Sequence, residues 1–333
     1  MTASVTIVFV VFNRRDELRE SLRRMLVDSD YERDRVDVIV VDNASTDGSG
    51  AMVRDEFPEV QLIARDENIG ASAWNDGFAI ARGDYVLILD DDCYLPPDGL
   101  RRAVARAEEH DADLVSLSVA STIDPDHLFT AESPMGLMSF WGCAWLVRRE
   151  VLDVLGGYDP EIFIWDNELE FTLRFFDRGY RHVHAPEIVA QHMKPPLSDE
   201  FDSRWYRANA HHFAYIAVKH LRARDAIGAV VAVFTRVLRD GVRRERASLR
   251  ALPDVLAGTV HGLRFRQPVR NRELSRFYRQ NFHGFASPWW MSRSAGELIR
   301  ARGRKSTGAG GRRQMFFEKR ARAYPEGAGT LQF

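Results

Sequence analysis

Cysteine is almost missing from this chain, with two residues, Cys93 and Cys143, among 333. They make neither a metal-ligand pattern nor a disulfide framework, which suits a reducing compartment. Long apolar runs are missing as well. The best candidate, AIGAVVAVF at residues 226–234, falls well short of the roughly 20 residues that span a bilayer. The opening stretch, MTASVTIVFVVFNRRDE, lacks the basic start and small-residue cleavage site of a secretory signal, so a cytoplasmic location is expected. The turn after the first apolar run, FNRRDE, contains no glycine, which excludes a dinucleotide-binding fingerprint there. No nucleic-acid reading motif is evident, and the rear arginines are dispersed over several helical stretches, so no nucleic-acid partner is expected.

What is present is the composition of a folded protein, 45% hydrophobic and 28% charged. The net charge of −2 conceals a division: residues 1–199 carry 19 Lys and Arg against 38 Asp and Glu, and residues 200–333 carry 27 against 10. An acidic front and a basic rear suit different partners. Basic amphipathic stretches such as FTRVLRDGVRRERASL point to peripheral association with the inner face of an anionic membrane, or to a lipid-diphosphate acceptor. A solvated helical face or a homodimer interface is the other reading of the same charge.

The front alternates apolar runs with helical patterns: VTIVFVVF then RRDELRESLRRML, VDVIVVD then DGSGAMVRDEF, VQLIARD then ASAWNDGFAIARG, and finally YVLILDDD. Such alternation predicts a doubly wound α/β sheet of mostly parallel strands flanked by helices. Ligands of these sheets sit beyond the carboxyl ends of the strands. Those ends read Asn13 and Arg14; Asp42, Asn43 and Ser45; Asp66 to Gly70; and then Asp90, Asp91 and Asp92. Three adjacent carboxylates repel one another unless a cation joins them, and Mg2+ or Mn2+ favours oxygen ligands. The competing reading is an acid cluster capping the helix start of PPDGLRRAVARAEEH, against which stands Asp98, already a candidate N-cap there.

Farther on, LVSLSVAST and FWGCAWLVRR read as strands, EVLDVLGGYDPEIF as helix then turn, NELEFTLRFFDRG as a helix, and RHVHAPEIVAQHMK as a strand pair or extended segment. His182 and His184 then occupy alternating strand positions. From about Asp199 the pattern is helical and Arg-rich, and the tail is Gly-rich and basic, expected to be partly disordered.

In order along the chain, VVFNRRDELRESL, VVDNASTDGS, ENIGASAWNDGFAIARGDYVLILDDD, GGYDPEIFIWDNELEFTLRFFDRGYR and QHMK resemble glycosyltransferase family 2, the inverting nucleotide-sugar transferases of GT-A fold, over about residues 4–194. The resemblance implies a GT-A domain over 1–198, donor-binding to about 110 and acceptor-binding from about 111. A basic helical region over 199–300 and a tail over 301–333 follow. It implies that Asp92, the last acid of a D-x-D, ligates Mn2+ or Mg2+ on the donor diphosphate, while Asp90 contacts ribose or nucleotide beside the metal, with Asp91 between them. His192 is implied as a further metal or diphosphate ligand. Asp42 is implied to read the nucleobase, and Phe12, Asn13 and Arg14 to border base and phosphates. Asn68, Gly70 and Asn75 match the family's N-x-G-x-x-x-x-N near the donor. Gly70 has a local reason too, since a loop approaching a phosphate closely favours a residue without Cβ.

On the acceptor side the family carries a pair of acids, the second of which deprotonates the acceptor hydroxyl. The pair falls on Asn167 and Glu168 in FIWDNELEFTLR, so Asn replaces the first acid and Glu stands for Asp. Glu168 is the implied base and Asp166 its competitor. Trp141, Trp145 and Trp165 flank the region, and Trp141 and Trp165 are candidates for stacking on an acceptor sugar, though indoles also serve as packing. The implied reaction moves a sugar, rhamnosyl or galactofuranosyl among others, from a UDP- or next a dTDP-linked donor to a glycan, lipid-linked or small-molecule hydroxyl. A non-catalytic nucleotide-sugar-binding module on the same fold is the alternative, supported by the Asn167 departure. A Mg2+-dependent phosphatase of haloacid dehalogenase type is more remote, because its D-x-D follows the first strand.

Overall fold

The computed structural model describes residues 2–123, 128–129, 140, 142–194, 202–243, 245–285 and 330–331. Strand β1 (Val5–Val11) is buried along its whole length, as an unbroken apolar run without polar alternation requires. Helix α1 (Arg15–Arg23), β2 (Val36–Asp42), α2 (Ser49–Glu56), β3 (Gln61–Ala64), α3 (Trp74–Ile80) and β4 (Tyr85–Asp90) follow. The four strands are parallel, in the order β4-β1-β2-β3.

The remainder of the sheet is mixed. After β5 (Cys93–Tyr94) and α4 (Gly99–Glu109) come β6 (Leu114–Ser121), β7 (Leu128–Phe129), β8 (Ala144–Arg148), α5 (Arg149–Leu155), α6 (Asn167–Asp177) and β9 (His182–His192). β8 lies antiparallel between β4 and β6, and β9 runs parallel to β6. The segment read as a strand pair or extended piece is thus one strand, whose register against β6 jumps from Ala185 to Val189. Helices α7 (Ser203–His220), α8 (Ala223–Arg243), α9 (Leu252–Arg264) and α10 (Arg272–Phe285) come next, and β10 (Thr330–Leu331) pairs with β9. Most of the Gly/Arg-rich tail lies outside the described residues.

Period-two alternation sorts side chains into two cores. Ile7, Phe9 and Val11 face α1, α2 and α4, while Val8 and Val10 face the side covered by α3, α5, α6 and the rear helices. Asp98 does not cap α4 with its side chain; its carboxylate accepts from Arg102 instead. The rear helices close tightly. A Cβ at Gly258 of α9 would stand 2.1 Å from the His211 carbonyl of α7, so only glycine permits that approach.

A buried ionic network joins α7 to α6. Glu170 is fully buried and receives Arg174 at 2.7 Å, His220 at 2.7 Å and Lys219 at 3.4 Å. Lys219 and the Tyr215 hydroxyl both reach Asp159 at 2.7 Å. Burial opposes ionisation of Glu170, yet Arg174, His220 and Lys219 outweigh it and hold the carboxyl well below its ordinary value of 4.5. A depressed carboxylate stabilises the fold above that ordinary value and loses the contribution as pH falls below it. Glu170→Ala removes the carboxylate that Arg174, Lys219 and His220 share, and chemical denaturation at neutral pH is expected to show a loss of about 3–5 kcal/mol. A loss below about 1 kcal/mol would show that the network does not hold the rear helices.

Candidate active site

β4 ends on Asp90, and the chain turns so that β5 pairs with the end of β9, placing Cys93 opposite His192. The Met193 N–H donates to the Asp92 carbonyl at 2.9 Å, and Ser21 Oγ of α1 donates to the Asp91 carbonyl at 2.9 Å, so the turn is held from two sides. The Asp92 side chain is buried. His192 Nε2 lies 3.1 Å from its Oδ1, Lys194 Nζ lies 3.2 Å from its Oδ2, and the Arg14 guanidinium also donates to Oδ2. Arg14 reaches Asp91 Oδ1 at 3.5 Å as well.

The triplet divides electrostatically. Burial opposes ionisation of Asp92, but His192, Lys194 and Arg14 hold its carboxyl well below the usual range. Burial pushes Asp91 up to about 8 against the pull of Arg14. Burial also raises Asp90, and the charge on Asp92 adds to the effect. The chain's own cations therefore offset one acid and leave its neighbours undercompensated. Ligand atoms of Asp90, Asp92 and His192 lie within 4.8 Å of one another. Two carboxylate oxygens and an imidazole nitrogen form a donor set that fits Mn2+ or Mg2+.

A second acid stands at the start of α6. Glu168 is partly exposed, and the Tyr158 hydroxyl donates to its Oε1 at 3.2 Å. Burial, assisted by the charge on Asp90, pushes the carboxyl up to about 7. Trp165 and Asp166 just before it adopt left-handed φ of 65° and 60°, conformations that non-glycine residues hold only when their surroundings impose them. Here α7 imposes them: Asn209 Nδ2 donates to both Asp166 oxygens at 3.0 and 3.2 Å, and His212 Nδ1 lies 3.2 Å away. Asp166 is the N-cap of α6 without a side-chain cap bond.

Residues 6–140 match the family described as Glycosyl transferase family 2. Those residues belong to that family. ExoO of Rhizobium meliloti, a succinoglycan biosynthesis protein, is 37% identical over 112 residues, 33% of this chain and 31% of that protein. The glycosyltransferase AglE of Haloferax volcanii is 24% identical over 210 residues, 59% of this chain and 68% of that protein. An undecaprenyl-phosphate 4-deoxy-4-formamido-L-arabinose transferase of Enterobacter is 34% identical over 115 residues, 32% of this chain and 34% of that protein. The chain thus spans about a third of the length of two of these relatives and about two thirds of the other. Among solved structures, a mannosyltransferase of Pyrobaculum calidifontis in complex with GDP-Man and Mn2+ superposes with a TM-score of 0.53 at 23% identity, covering 79% of this chain and 88% of that one. TarS 1-349 of S. aureus superposes with a TM-score of 0.57 at 15% identity, covering 87% of this chain and 92% of that one. These likenesses concern the fold, a mixed GT-A type sheet flanked by helices.

Within the family 2 domain, Phe12, Asn13, Arg14, Asp42 and the Asp triplet share one sheet edge, beyond the ends of β1, β2 and β4. Phe12 is exposed. Asn13, at φ 54°, accepts the Thr46 N–H at 2.7 Å and ties that edge to the loop after β2. Asp42 is buried, and its Oδ1 accepts the Ser45 N–H at 2.8 Å. Trp165 is 37% exposed, whereas Trp145 is wholly buried among Phe140, Tyr158 and Phe171. His182 and His184 both meet Ser116 on β6, in keeping with strand positions. Trp141 lies outside the described residues.

Three matched residues act on the chain itself. The Asn75 carboxamide exchanges two hydrogen bonds with the Tyr158 backbone, at 2.8 and 2.7 Å. Asn68 Oδ1 accepts from Asn43 Nδ2 and from the Gly70 N–H, both at 2.9 Å. Gly70 is needed for its φ of 67° and because Phe163 O lies where a Cβ would stand, only 1.9 Å away. Sequence reasoning missed Lys194, whose place two residues after His192 was the available signal. It also missed the clamping role of Asn43, for which no local signal existed. Gly70→Ala is expected to lower stability by at least about 2 kcal/mol in thermal unfolding, from positive φ and the clash together. An unchanged melting temperature would show that the loop over Phe163 yields easily.

Proposed function

We propose that this chain transfers a sugar, with inversion, from a nucleoside diphosphate donor to an acceptor hydroxyl, aided by Mn2+ or Mg2+. The observation that carries the reading is the presence of two unlike acid sets: the undercompensated, metal-competent cluster of Asp90, Asp92 and His192, and the separate, weakly acidic Glu168. Inverting displacement requires opposite services on opposite faces of the anomeric carbon. On the leaving side, Asp90, Asp92 and His192 would hold the metal, which when bound supplies Lewis-acid neutralisation of the diphosphate. Arg14 and Lys194 bring two more positive charges to that side, and Asp42 stands ready for a nucleobase N–H.

On the attacking side, Glu168 takes the proton of the acceptor hydroxyl. A value near 7 suits a base at neutral pH, and the Tyr158 hydroxyl orients the carboxyl. Asp166 is the weaker candidate, because Asn209 and His212 already occupy its oxygens. Trp165 offers an exposed aromatic face to an acceptor sugar. A UDP donor is preferred over dTDP, with rhamnosyl or galactofuranosyl transfer in view. The names of relatives, one in succinoglycan biosynthesis and one acting with undecaprenyl-phosphate, support an envelope glycan or a lipid-linked acceptor. No described helix is long and apolar enough to cross a membrane. The charge division favours attachment of the rear to a membrane's inner face over a homodimer contact.

Transfer assays test the two sides separately. Asp92→Asn, or wild-type protein freed of metal by EDTA, is expected to lose nearly all turnover, with Mn2+ restoring only the latter; full turnover in EDTA would remove the metal from the reading. Glu168→Gln is expected to lower kcat about 10²-fold or more while donor affinity holds. Because Glu168 acts deprotonated, wild-type kcat should rise with pH through about 7, and the variant should lack that rise. Near-native turnover in Glu168→Gln with a dead Asp166→Asn would assign the base to Asp166.

A further inference from the structure

Several arginines of the front half are matched to carboxylates, among them Arg19 to Glu56, Arg65 to Asp76, Arg101 to Asp30 and Arg106 to Glu187. Five in the rear are gathered differently. Arg222 and Arg224 at the entry to α8, and Arg272, Arg276 and Arg279 along α10, line one open cavity of about 500 Å³ together with Asp225 and Gln280. Among the described residues, the only carboxylate within ion-pair range of this group is Asp225, 4.0 Å from Arg279. Its other oxygen accepts from Ser275 Oγ at 2.7 Å, so the one acid present is already engaged. Arg279 lies across α8 at Gly228, where a Cβ would stand 3.1 Å from its Cδ. Four uncompensated guanidinium groups around one cavity suit a phosphate, which their planar forks can grip with paired hydrogen bonds.

The same helix shows which phosphate. Arg224, Ile227, Val231, Leu238 and Val242 recur at helical spacing on one stripe of α8, roughly 27 Å long at 1.5 Å per residue. Ile227, Val231 and Val242 are 67%, 55% and 81% exposed. Arg239 and Arg243 are exposed at the far end of the helix. A soluble phosphate would use the cavity and leave that apolar stripe without purpose. A lipid surface uses both, since an amphipathic helix lies in the headgroup boundary with its apolar face down and its arginines on phosphates.

We propose that this cavity receives the phosphate of an anionic phospholipid while α8 beds its apolar stripe into the bilayer surface, making the rear of the molecule a membrane-docking face. The proposal stands independently of sugar transfer, because none of its residues belongs to the acid sets. The test is flotation of the full-length protein with vesicles of phosphatidylcholine alone, and of phosphatidylcholine and phosphatidylglycerol in equal parts. The wild-type chain is expected to float with the mixed vesicles only, and less so as salt rises. Arg224→Glu with Arg276→Glu, and separately Ile227→Ser with Val231→Ser, should each lower the partition at least about tenfold with melting temperatures unchanged, all four residues being exposed. Absence of wild-type flotation, or wild-type partition in the charge-reversed variant, overturns the proposal. Calorimetry with inorganic pyrophosphate separates the remaining source: binding that Arg224→Glu with Arg276→Glu removes, in a protein that ignores mixed vesicles, would assign the cavity to a soluble phosphate and overturn membrane docking.

Discussion

The burial of Asp92 beside two further carboxylates is the constraint around which the front of the molecule is arranged. An acid stripped of water at a strand end must be answered by positive charge or protonated. The answers come from distant places in the chain: Arg14 from the end of β1, and His192 and Lys194 from the end of β9. Bringing them together requires the parallel β4–β1 pairing and the short β5–β9 ladder, and therefore the whole mixed sheet between them. The sheet serves as a device for concentrating cations on one turn.

A related opposition operates within two turns of α6. Glu168 and Glu170 are two positions apart, and packing sends them to opposite ends of the carboxylate scale. Glu170 meets Arg174, Lys219 and His220 and stays ionised, locking the rear helices to the domain. Glu168 is pushed the other way by burial and by the charge on Asp90, which outweigh the Tyr158 hydroxyl's hydrogen bond, and it holds its proton to about 7. One helix thus carries a structural anchor and a candidate proton acceptor, and α7, by gripping Asp166, sets the angle at which the second is presented. The basic rear in this sense also shapes the Glu168 end of α6.

Much of this was legible beforehand, for identifiable reasons. Buried parallel strands announce themselves as unbroken apolar runs, so β1, β2 and β4 and the polar ends beyond them could be read directly, and the order of those ends carried the family resemblance. The reversal of β8 was not readable, because antiparallel and parallel burial leave the same apolar signature in a short strand. Asn68, Gly70 and Asn75 show the opposite limit. Their spacing is conspicuous, yet Asn75 holds Tyr158, and Gly70 makes room for Phe163, neighbours that sequence distance hides.

By itself the sequence determined which residue types gather at the strand ends, that three adjacent carboxylates there call for positive charge, and that charge divides the chain into an acidic front and a basic rear. These follow from composition and periodicity, which are local properties. Tertiary structure alone decided which acid is paired and which is poised: Asp92 against Asp90, Glu170 against Glu168, and Asp166 tied to Asn209 and His212. It also decided which arginines face partners and which line an open cavity. Ionisation and pairing depend on burial and on charges within a few ångströms, and those neighbours come from strands and helices that only folding brings together.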